Sequence, residues 1–394
     1  MDTSRKSAST AAIHGHGFYD SRYGVFIPPI YLTVVYEQPN RALGSTLTTD
    51  RGTDLKYSRE ENVTARALEN VLAKLELAED ALVFNSGMAA LAAIYLYSLR
   101  RGVKVVLPME AYGTTIQLIT ILSERLGAEV YKAWPSTEAV VDAIDENTEL
   151  VLIETMTNPT LKVFDVREIA KRAREVGALL VVDNTFVTPV IYNPIKDGAH
   201  AVVHSLTKYI AGHNDVVGGA VASSKELIRE LWEWRRMLGS ILQPFEAYLI
   251  LRGVKTLEAR VEKQCKSALA IAEFLRDHPK VREVSYPGLP DSPYKPIADR
   301  LFNRRLYGAM VSFKVVGGRE GALKVLNKVR IIKPSPSLGG TESLLTYPVI
   351  SAAKTLPSDD RIKLGITDDL LRLSVGLEDV NDLIEDLDQA LNSV

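Results

Sequence analysis

A chain of 394 residues, 46% hydrophobic and 24% charged, is long enough for two or three domains with a sizeable core. Its 47 basic side chains are balanced by 49 acidic ones, and a net charge of −2 argues against a nucleic-acid-binding protein, which carries a basic excess. Cys265 is the only cysteine, which excludes an intrachain disulfide and any cysteine-rich metal site.

The opening Met1-Asp2-Thr3-Ser4-Arg5-Lys6 lacks the apolar stretch of a signal peptide, and the longest nearly apolar run, 88–99, is too short to span a bilayer. The expectation is a cytoplasmic enzyme acting on a small molecule, with no membrane, nucleic-acid or metal partner. Residues 1–59 show no sustained helical periodicity and carry Gly15, Gly17, Gly24, Pro28, Pro29 and Pro39. They read as an extended arm that lies across another surface, a partner subunit being the natural one.

From residue 60 the pattern turns helical, with Val63, Ala67, Leu68, Val71, Leu72 and Leu75 on one face. Short apolar runs at 81–84, 103–107, 129–131, 150–153, 179–182 and 201–203 then alternate with helical stretches. Strands apolar on both faces and joined by helices predict a mostly parallel α/β sheet covered on both sides. Residues 231–257 read as one long helical segment leading to a second, smaller α+β domain. That domain has a helix at 258–276, a turn at Tyr286-Pro287-Gly288-Leu289-Pro290, strands at 310–315 and 371–374, and helices at 321–328 and 380–391. The predicted division is 1–59 for the arm, 60–254 for the large domain and 255–394 for the small one.

In parallel sheets ligands bind beyond the carboxyl ends of the strands, and four of these ends run into polar residues. The first leads to Ser86-Gly87-Met88 at the start of a helix, the fourth to Asn158, the fifth to Asp183, and the sixth to Ser205-Leu206-Thr207-Lys208. A lysine to hold an aldehyde, an acid to keep a ring nitrogen protonated, and a glycine turn opening a helix are the parts that pyridoxal phosphate (PLP) requires. Ser205 and Thr207, flanking the lysine, add donors for the phosphate. Each element has an ordinary reading: a lysine after a strand is usually solvated, an Asp-Asn pair usually caps a turn, and Ser-Gly-Met is a common strand-to-helix turn. Together, in this order, they point to PLP.

Thirteen segments carry a resemblance to a known family. They include Tyr57-Ser58-Arg59, Ser86-Gly87-Met88-Ala89-Ala90, Tyr112-Gly113, Asn158-Pro159-Thr160, Val182-Asp183-Asn184-Thr185-Phe186, Ser205-Leu206-Thr207-Lys208-Tyr209, Ser337-Leu338-Gly339-Gly340 and Arg372-Leu373-Ser374-Val375-Gly376. Over nearly its whole length the chain resembles the Cys/Met-metabolism family of PLP enzymes, which includes cystathionine γ-synthase, cystathionine γ- and β-lyases and methionine γ-lyase. The resemblance implies the PLP-dependent transferase fold type I and a homotetramer built from two active dimers. It implies Lys208 as the lysine that binds the cofactor covalently, Asp183 at the pyridine nitrogen and Tyr112 stacked on the ring and aiding proton transfer. Ser86, Gly87, Met88, Ser205 and Thr207 then hold the phosphate, with Tyr57 and Arg59 reaching the phosphate of a neighbouring subunit. Asn158 lies near the cofactor or substrate, Arg372 clamps the substrate α-carboxylate with help from Ser337, and Glu342 receives a distal or incoming amine.

Three positions depart from the family pattern. Asn62-Val63-Thr64 stands where Asn-Pro-Thr is usual, Thr114 where methionine γ-lyases place a cysteine, and Ile350-Ser351-Ala352-Ala353 where many members have Met-Thr-His. The implied reaction is γ-replacement or γ-elimination of the cystathionine γ-synthase or γ-lyase type. Methionine γ-lyase is the alternative within the family, and a non-catalytic PLP-fold binding or regulatory protein the alternative outside it.

Overall fold

The structure, a computed structural model, describes residues 7–18, 22–37, 51, 55–354 and 356–394. Its larger sheet has seven strands: β1 (Asp80–Phe84), β2 (Lys104–Pro108), β3 (Glu129–Ala133), β4 (Thr148–Glu154), β5 (Leu179–Asp183), β6 (Ala201–Ser205) and β7 (Gly219–Ser223). The order across the sheet is β1-β7-β6-β5-β4-β2-β3, and only β7 runs against the rest. The six predicted strands are all present. The seventh escaped the sequence reading because Gly219-Ala220-Val221-Ala222-Ser223 lacks the bulky branched residues that mark a strand. Small residues are required there: a Cβ on Gly219 would lie 2.1 Å from the Ser86 carbonyl oxygen.

Both faces of this sheet are apolar, as the strand runs predict. Leu82, Phe84, Val105, Leu107, Leu150 and Leu152 pack into one layer. Val83, Val106, Val151, Ile153, Leu180 and Val182, their alternating neighbours, pack into the other. Each such side chain taken out of water contributes about 1.5–3 kcal/mol, so the strand ends are held on a stiff platform.

The smaller sheet contains β8 (Val281–Ser285), β9 (Met310–Val315), β10 (Lys333–Pro334), β11 (Leu344–Thr346) and β12 (Leu370–Ser374), in the order β10-β11-β12-β9-β8. Three of these strands were not foreseen; β10 and β11 are too short to show a pattern. The expected long helix at 231–257 is instead two helices, Lys225–Leu238 and Pro244–Val254. Gly239 ends the first in a left-handed conformation and Pro244 opens the second, the usual punctuation of a helix break. The helix Leu257–Asp277 then packs on β8 and β9 of the smaller sheet, and its buried Gln264 donates to the carbonyls of Gly340 and Val375.

The arm is less extended than predicted. Helix α1 (Ala8–His14) buries Ala11 and Ala12 against α2 (Val63–Glu76), where Lys74 and Asn70 donate to the carbonyls of Gly15 and His16. Pro39 lies outside the described residues. Asn62 caps α2 by accepting from the Thr64 and Ala65 N–H groups, so valine at the first helical position, in place of proline, leaves the cap intact. Arg51 fastens the end of the arm by ion pairs to Glu61, Glu69 and Asp80.

Candidate active site

The carboxyl ends of β1, β4, β5 and β6 share one edge of the large sheet, because these strands run in the same direction. A cavity of about 670 Å³ opens there, walled on the far side by residues 336–338, 350–352, Lys354 and Arg372 of the smaller unit. Of the residues singled out from the sequence, Ser86, Gly87, Met88, Tyr112, Asn158, Asp183, Ser205, Thr207, Lys208, Ser337 and Arg372 all line it. Tyr57, Arg59 and Glu342 do not. The Arg59 guanidinium stacks over the Tyr57 ring at 5.5 Å and donates to the Arg236 carbonyl at 2.7 Å. Glu342 is exposed and accepts from Asn214 at 2.7 Å and Thr341 at 3.0 Å.

Lys208 sits in the turn after β6, and its Nζ donates to Ser337 Oγ at 2.7 Å across the cavity. Burial, reinforced by the Arg372 charge, pulls its ammonium below the ordinary lysine range. Ser337 reaches it from a left-handed backbone conformation, φ 94°.

Asp183 ends β5, where Oδ1 accepts from the Thr185 N–H at 2.9 Å. Thr185 Oγ1 in turn accepts from the Ser205 N–H at 2.9 Å, fixing the ends of β5 and β6 to each other. Burial pushes the Asp183 carboxyl up, against the pull of the Thr185 hydrogen bonds. Among the described residues no cation pairs with it, so the site lacks a positive partner for this acid.

Helix α3 (Gly87–Ser98) begins at the cavity. Ser86 caps it by accepting from the Ala89 N–H at 3.1 Å, and the first-turn N–H groups of Gly87 and Met88 remain for a ligand. A Cβ on Gly87 would come within 3.1 Å of Ser205 Cβ, so glycine is what lets the helix end and β6 close on a small anion. Thr207 Oγ1 accepts from the Gly218 N–H at 3.1 Å, which holds this corner to β7.

Arg372, on β12, is 3% exposed. Its Nη1 donates to Asn158 Oδ1 at 2.5 Å and its Nη2 to the Ser337 carbonyl at 3.2 Å, while Nε is buried with no partner among the described residues. No carboxylate pairs with it among those residues either, and burial lowers it to about 10. A buried guanidinium facing a cavity without a counter-charge is a receptor for an anion. Asn158 is presented by a loop fastened to buried Glu110, which accepts from Thr157, Thr160 and Lys162.

Among the cavity residues that the sequence does not mark as candidates are two polar ones beside Asp183. One is Thr185, which joins Asp183 to Ser205. Glu154 ends β4, directly opposite Asp183, and accepts from the Tyr112 N–H at 2.6 Å. It thereby orients the start of α4 (Gly113–Leu126), where Tyr112 exposes its ring to the cavity. The available signal was its place as the first acid after an apolar strand.

Burial, with the Asp183 charge added, pushes the Glu154 carboxyl well above the usual carboxylate range. A carboxyl whose folded pKa exceeds its unfolded one contributes stability in full below the unfolded value, and loses it as pH rises through the folded value. Glu154→Gln keeps an oxygen for Tyr112 but carries no charge. The cofactor-free variant is therefore expected to melt no lower than the parent at about pH 8 and to show a flatter melting temperature between about pH 5 and pH 8. Calorimetry at the two pH values checks this; a steeper dependence in the variant would contradict it.

An unpaired acid, a lysine of lowered basicity, a glycine-opened helix, an exposed aromatic ring and an unmatched guanidinium fit PLP bound with an amino acid. Comparison with known proteins gives the same answer. The family profile described as Cys/Met metabolism PLP-dependent enzyme matches residues 9–392. The chain belongs to this family. Its cofactor is accordingly pyridoxal phosphate, and the chain is an enzyme of the cystathionine γ-synthase and γ-lyase type.

Among this family's members, cystathionine γ-lyase of Bacillus subtilis (strain 168) is 40% identical over 387 residues, covering 98% of this chain and 99% of the relative. L-Methionine γ-lyase of Fusobacterium nucleatum subsp. polymorphum is 38% identical over 398 residues and covers all of both chains. A crystal structure of cystathionine γ-synthase from Xanthomonas oryzae pv. oryzae superposes with a TM-score of 0.91 at 36% identity, covering 98% of each chain. The fold is therefore that of this family's PLP enzymes, as the sequence predicts. Among the described residues no helix is long and apolar enough to cross a membrane.

Proposed function

We propose that the chain catalyses γ-replacement or γ-elimination on sulfur amino acids or homoserine esters, cystathionine among them, with methionine γ-lyase as the alternative. The observation that supports this is the buried, unmatched Arg372 across the cavity from Lys208, an arrangement suited to an amino acid held by its carboxylate with its α-carbon toward the lysine. In this reading Asp183 holds the ring nitrogen protonated, Tyr112 covers the ring face, and Ser86, Gly87, Met88, Ser205 and Thr207 take the phosphate. Bound there, PLP supplies an electron sink that acidifies the substrate's α- and β-hydrogens. Arg372 grips the α-carboxylate, with Ser337 and Asn158 holding its fork in place.

Lys208 Nζ, once free, would take the α-proton; its lowered basicity would keep more of it in the free-base form that can do so. Tyr112 assists proton movement. A thiol adding at the γ-carbon would give replacement; hydrolysis of the unsaturated skeleton by water would give a 2-oxo acid and ammonia, the products of elimination. Thr114, which lines the cavity, stands where methionine γ-lyases carry cysteine and supports the cystathionine reading over the methionine one.

The arm supports an intersubunit role for Tyr57 and Arg59. Phe26 is 92% exposed, Tyr23 72% and Leu32 71%, a density of bare apolar side chains that needs a covering surface. In this reading residues 1–59 lie on a neighbouring subunit of a homotetramer and complete its phosphate site, while 60–254 and 255–394 form the large and small domains. Buried, unpaired Cys265 fits a reducing cytoplasm. A chain that sediments as a fully active monomer would refute the shared site.

Product analysis tests the reaction. O-Succinyl-, O-acetyl- and O-phosphohomoserine supplied with cysteine are expected to yield cystathionine, and cystathionine alone to yield cysteine, a 2-oxo acid and ammonia. A protein that shows the cofactor's visible absorbance yet converts none of these would be a binding or regulatory relative.

A further inference from the structure

The cavity carries a third cation that the site described above does not use. Its charged lining residues are Lys208, Arg372 and Lys354 against Glu154 and Asp183. Lys208 and Arg372 lie inside; Lys354 is exposed at the rim. Among the described residues its ammonium has neither an ion pair nor a side-chain hydrogen bond. The rim beside it is uncharged: Ile350 is 66% and Val217 58% exposed, and Ser351 and Ala352 complete that wall. Glu342, the other charge expected near the distal end of a substrate, lies outside the cavity and is tied to Asn214 and Thr341.

The backbone that carries Lys354 is anchored. Ala353 is 1% exposed in a small apolar cluster with Leu364, Ile366 and Leu370, and Leu356 packs on the same cluster from the other side. The Ala353 N–H donates to the Pro348 carbonyl at 2.9 Å and Ser351 Oγ to the Tyr347 carbonyl at 2.8 Å. A flexible four-carbon stem therefore swings from a fixed point at the cavity mouth, with water on one side and substrate space on the other. With Arg372 inside to receive the α-carboxylate, a second unmatched cation at the rim faces whatever ends the γ-substituent.

We propose that Lys354 makes this enzyme select substrates whose γ-substituent ends in an anion, a carboxylate or a phosphate, over those ending in a neutral group. This rests on the γ-reaction reading. It ranks O-succinyl- and O-phosphohomoserine, and the distal carboxylate of cystathionine, above O-acetylhomoserine and methionine. The attraction acts across a partly solvated rim, so it weakens with added salt.

The test uses the PLP-loaded enzyme and its Lys354→Ala, Lys354→Glu and Lys354→Arg variants, with each of the three homoserine esters at fixed cysteine. In Lys354→Ala, kcat/KM for the succinyl and phospho esters should fall about tenfold, chiefly through KM, while that for the acetyl ester changes less than about twofold. Lys354→Glu should lose more and Lys354→Arg should retain most of the preference. A preference for the succinyl ester alone would identify a carboxylate site, and for the phospho ester alone a phosphate site. Binding without turnover gives a second reading. Change in cofactor absorbance titrated with 2-aminoadipate and with norleucine should show a preference for the former, lost in Lys354→Ala.

An unchanged ratio between charged and neutral ligands in Lys354→Ala would overturn the assignment while leaving the γ-reaction intact. Failure of the parent enzyme to convert any ester would instead remove the γ-reaction reading, and this one with it.

Discussion

Lys208→Ala is expected to lower turnover at least about 10³-fold, because in the proposed reading both covalent retention of the cofactor and proton transfer at the α-carbon depend on one amine. The fold should survive. Lys208 occupies a turn, and the change removes one side-chain hydrogen bond, to Ser337 Oγ. Its ammonium is disfavoured by burial and by the Arg372 charge, so the cofactor-free variant should melt no lower than the parent at neutral pH. The decisive readout is covalent. Borohydride treatment followed by mass analysis should fix the cofactor to the parent chain and leave the variant's mass unchanged. A variant that turns over at the parental rate, or that still traps the cofactor, would show that another amine does this work.

Arg372→Ala should reduce kcat/KM for amino-acid substrates by about 10²-fold or more, equivalent to about 3 kcal/mol, the scale of one or two hydrogen bonds to a charged group. Two effects add. In the proposed reading the substrate carboxylate loses its fork, and Asn158 Oδ1 and the Ser337 carbonyl lose their donors. Arg372→Lys keeps the charge without the planar pair of donors and should fall between. The distinguishing measurement pairs an amino-acid substrate with its α-carboxamide. The parent should strongly prefer the acid, and the alanine variant should lose that preference. If it persists, Arg372 is a structural residue and the carboxylate is bound elsewhere.

Much of this site was legible before any coordinates, for a physical reason. A buried parallel strand must be apolar on both faces, so the point where it turns polar marks the sheet edge. Asp183 after Leu179-Leu180-Val181-Val182, and Ser205 to Lys208 after Ala201-Val202-Val203, stand out on that ground. The terminal helix Val380–Leu391 was equally readable, because one buried stripe carrying Leu383, Leu387, Ala390 and Leu391 writes a period of 3.6 into the sequence. Strand β7 was not, since tight packing against Ser86 replaced bulky residues by small ones and erased the pattern. The helix break between Leu238 and Pro244 was signalled by Gly239 and Pro244, but the apolar periodicity on either side masked it.

The sequence alone determined which residue types were available to the chemistry and that several of them end strands, because local patterning and strand polarity are properties of neighbouring residues. Only the tertiary structure decided their pairing. Glu154 meets Asp183 through strand register, Ser337 reaches Lys208 from 129 positions away, and Arg372 reaches Asn158 across 214. It also separated Glu342 from the cavity and brought Lys354 to its mouth. Contacts between residues so far apart depend on how the two sheets pack, and no local signal along the chain encodes that distance.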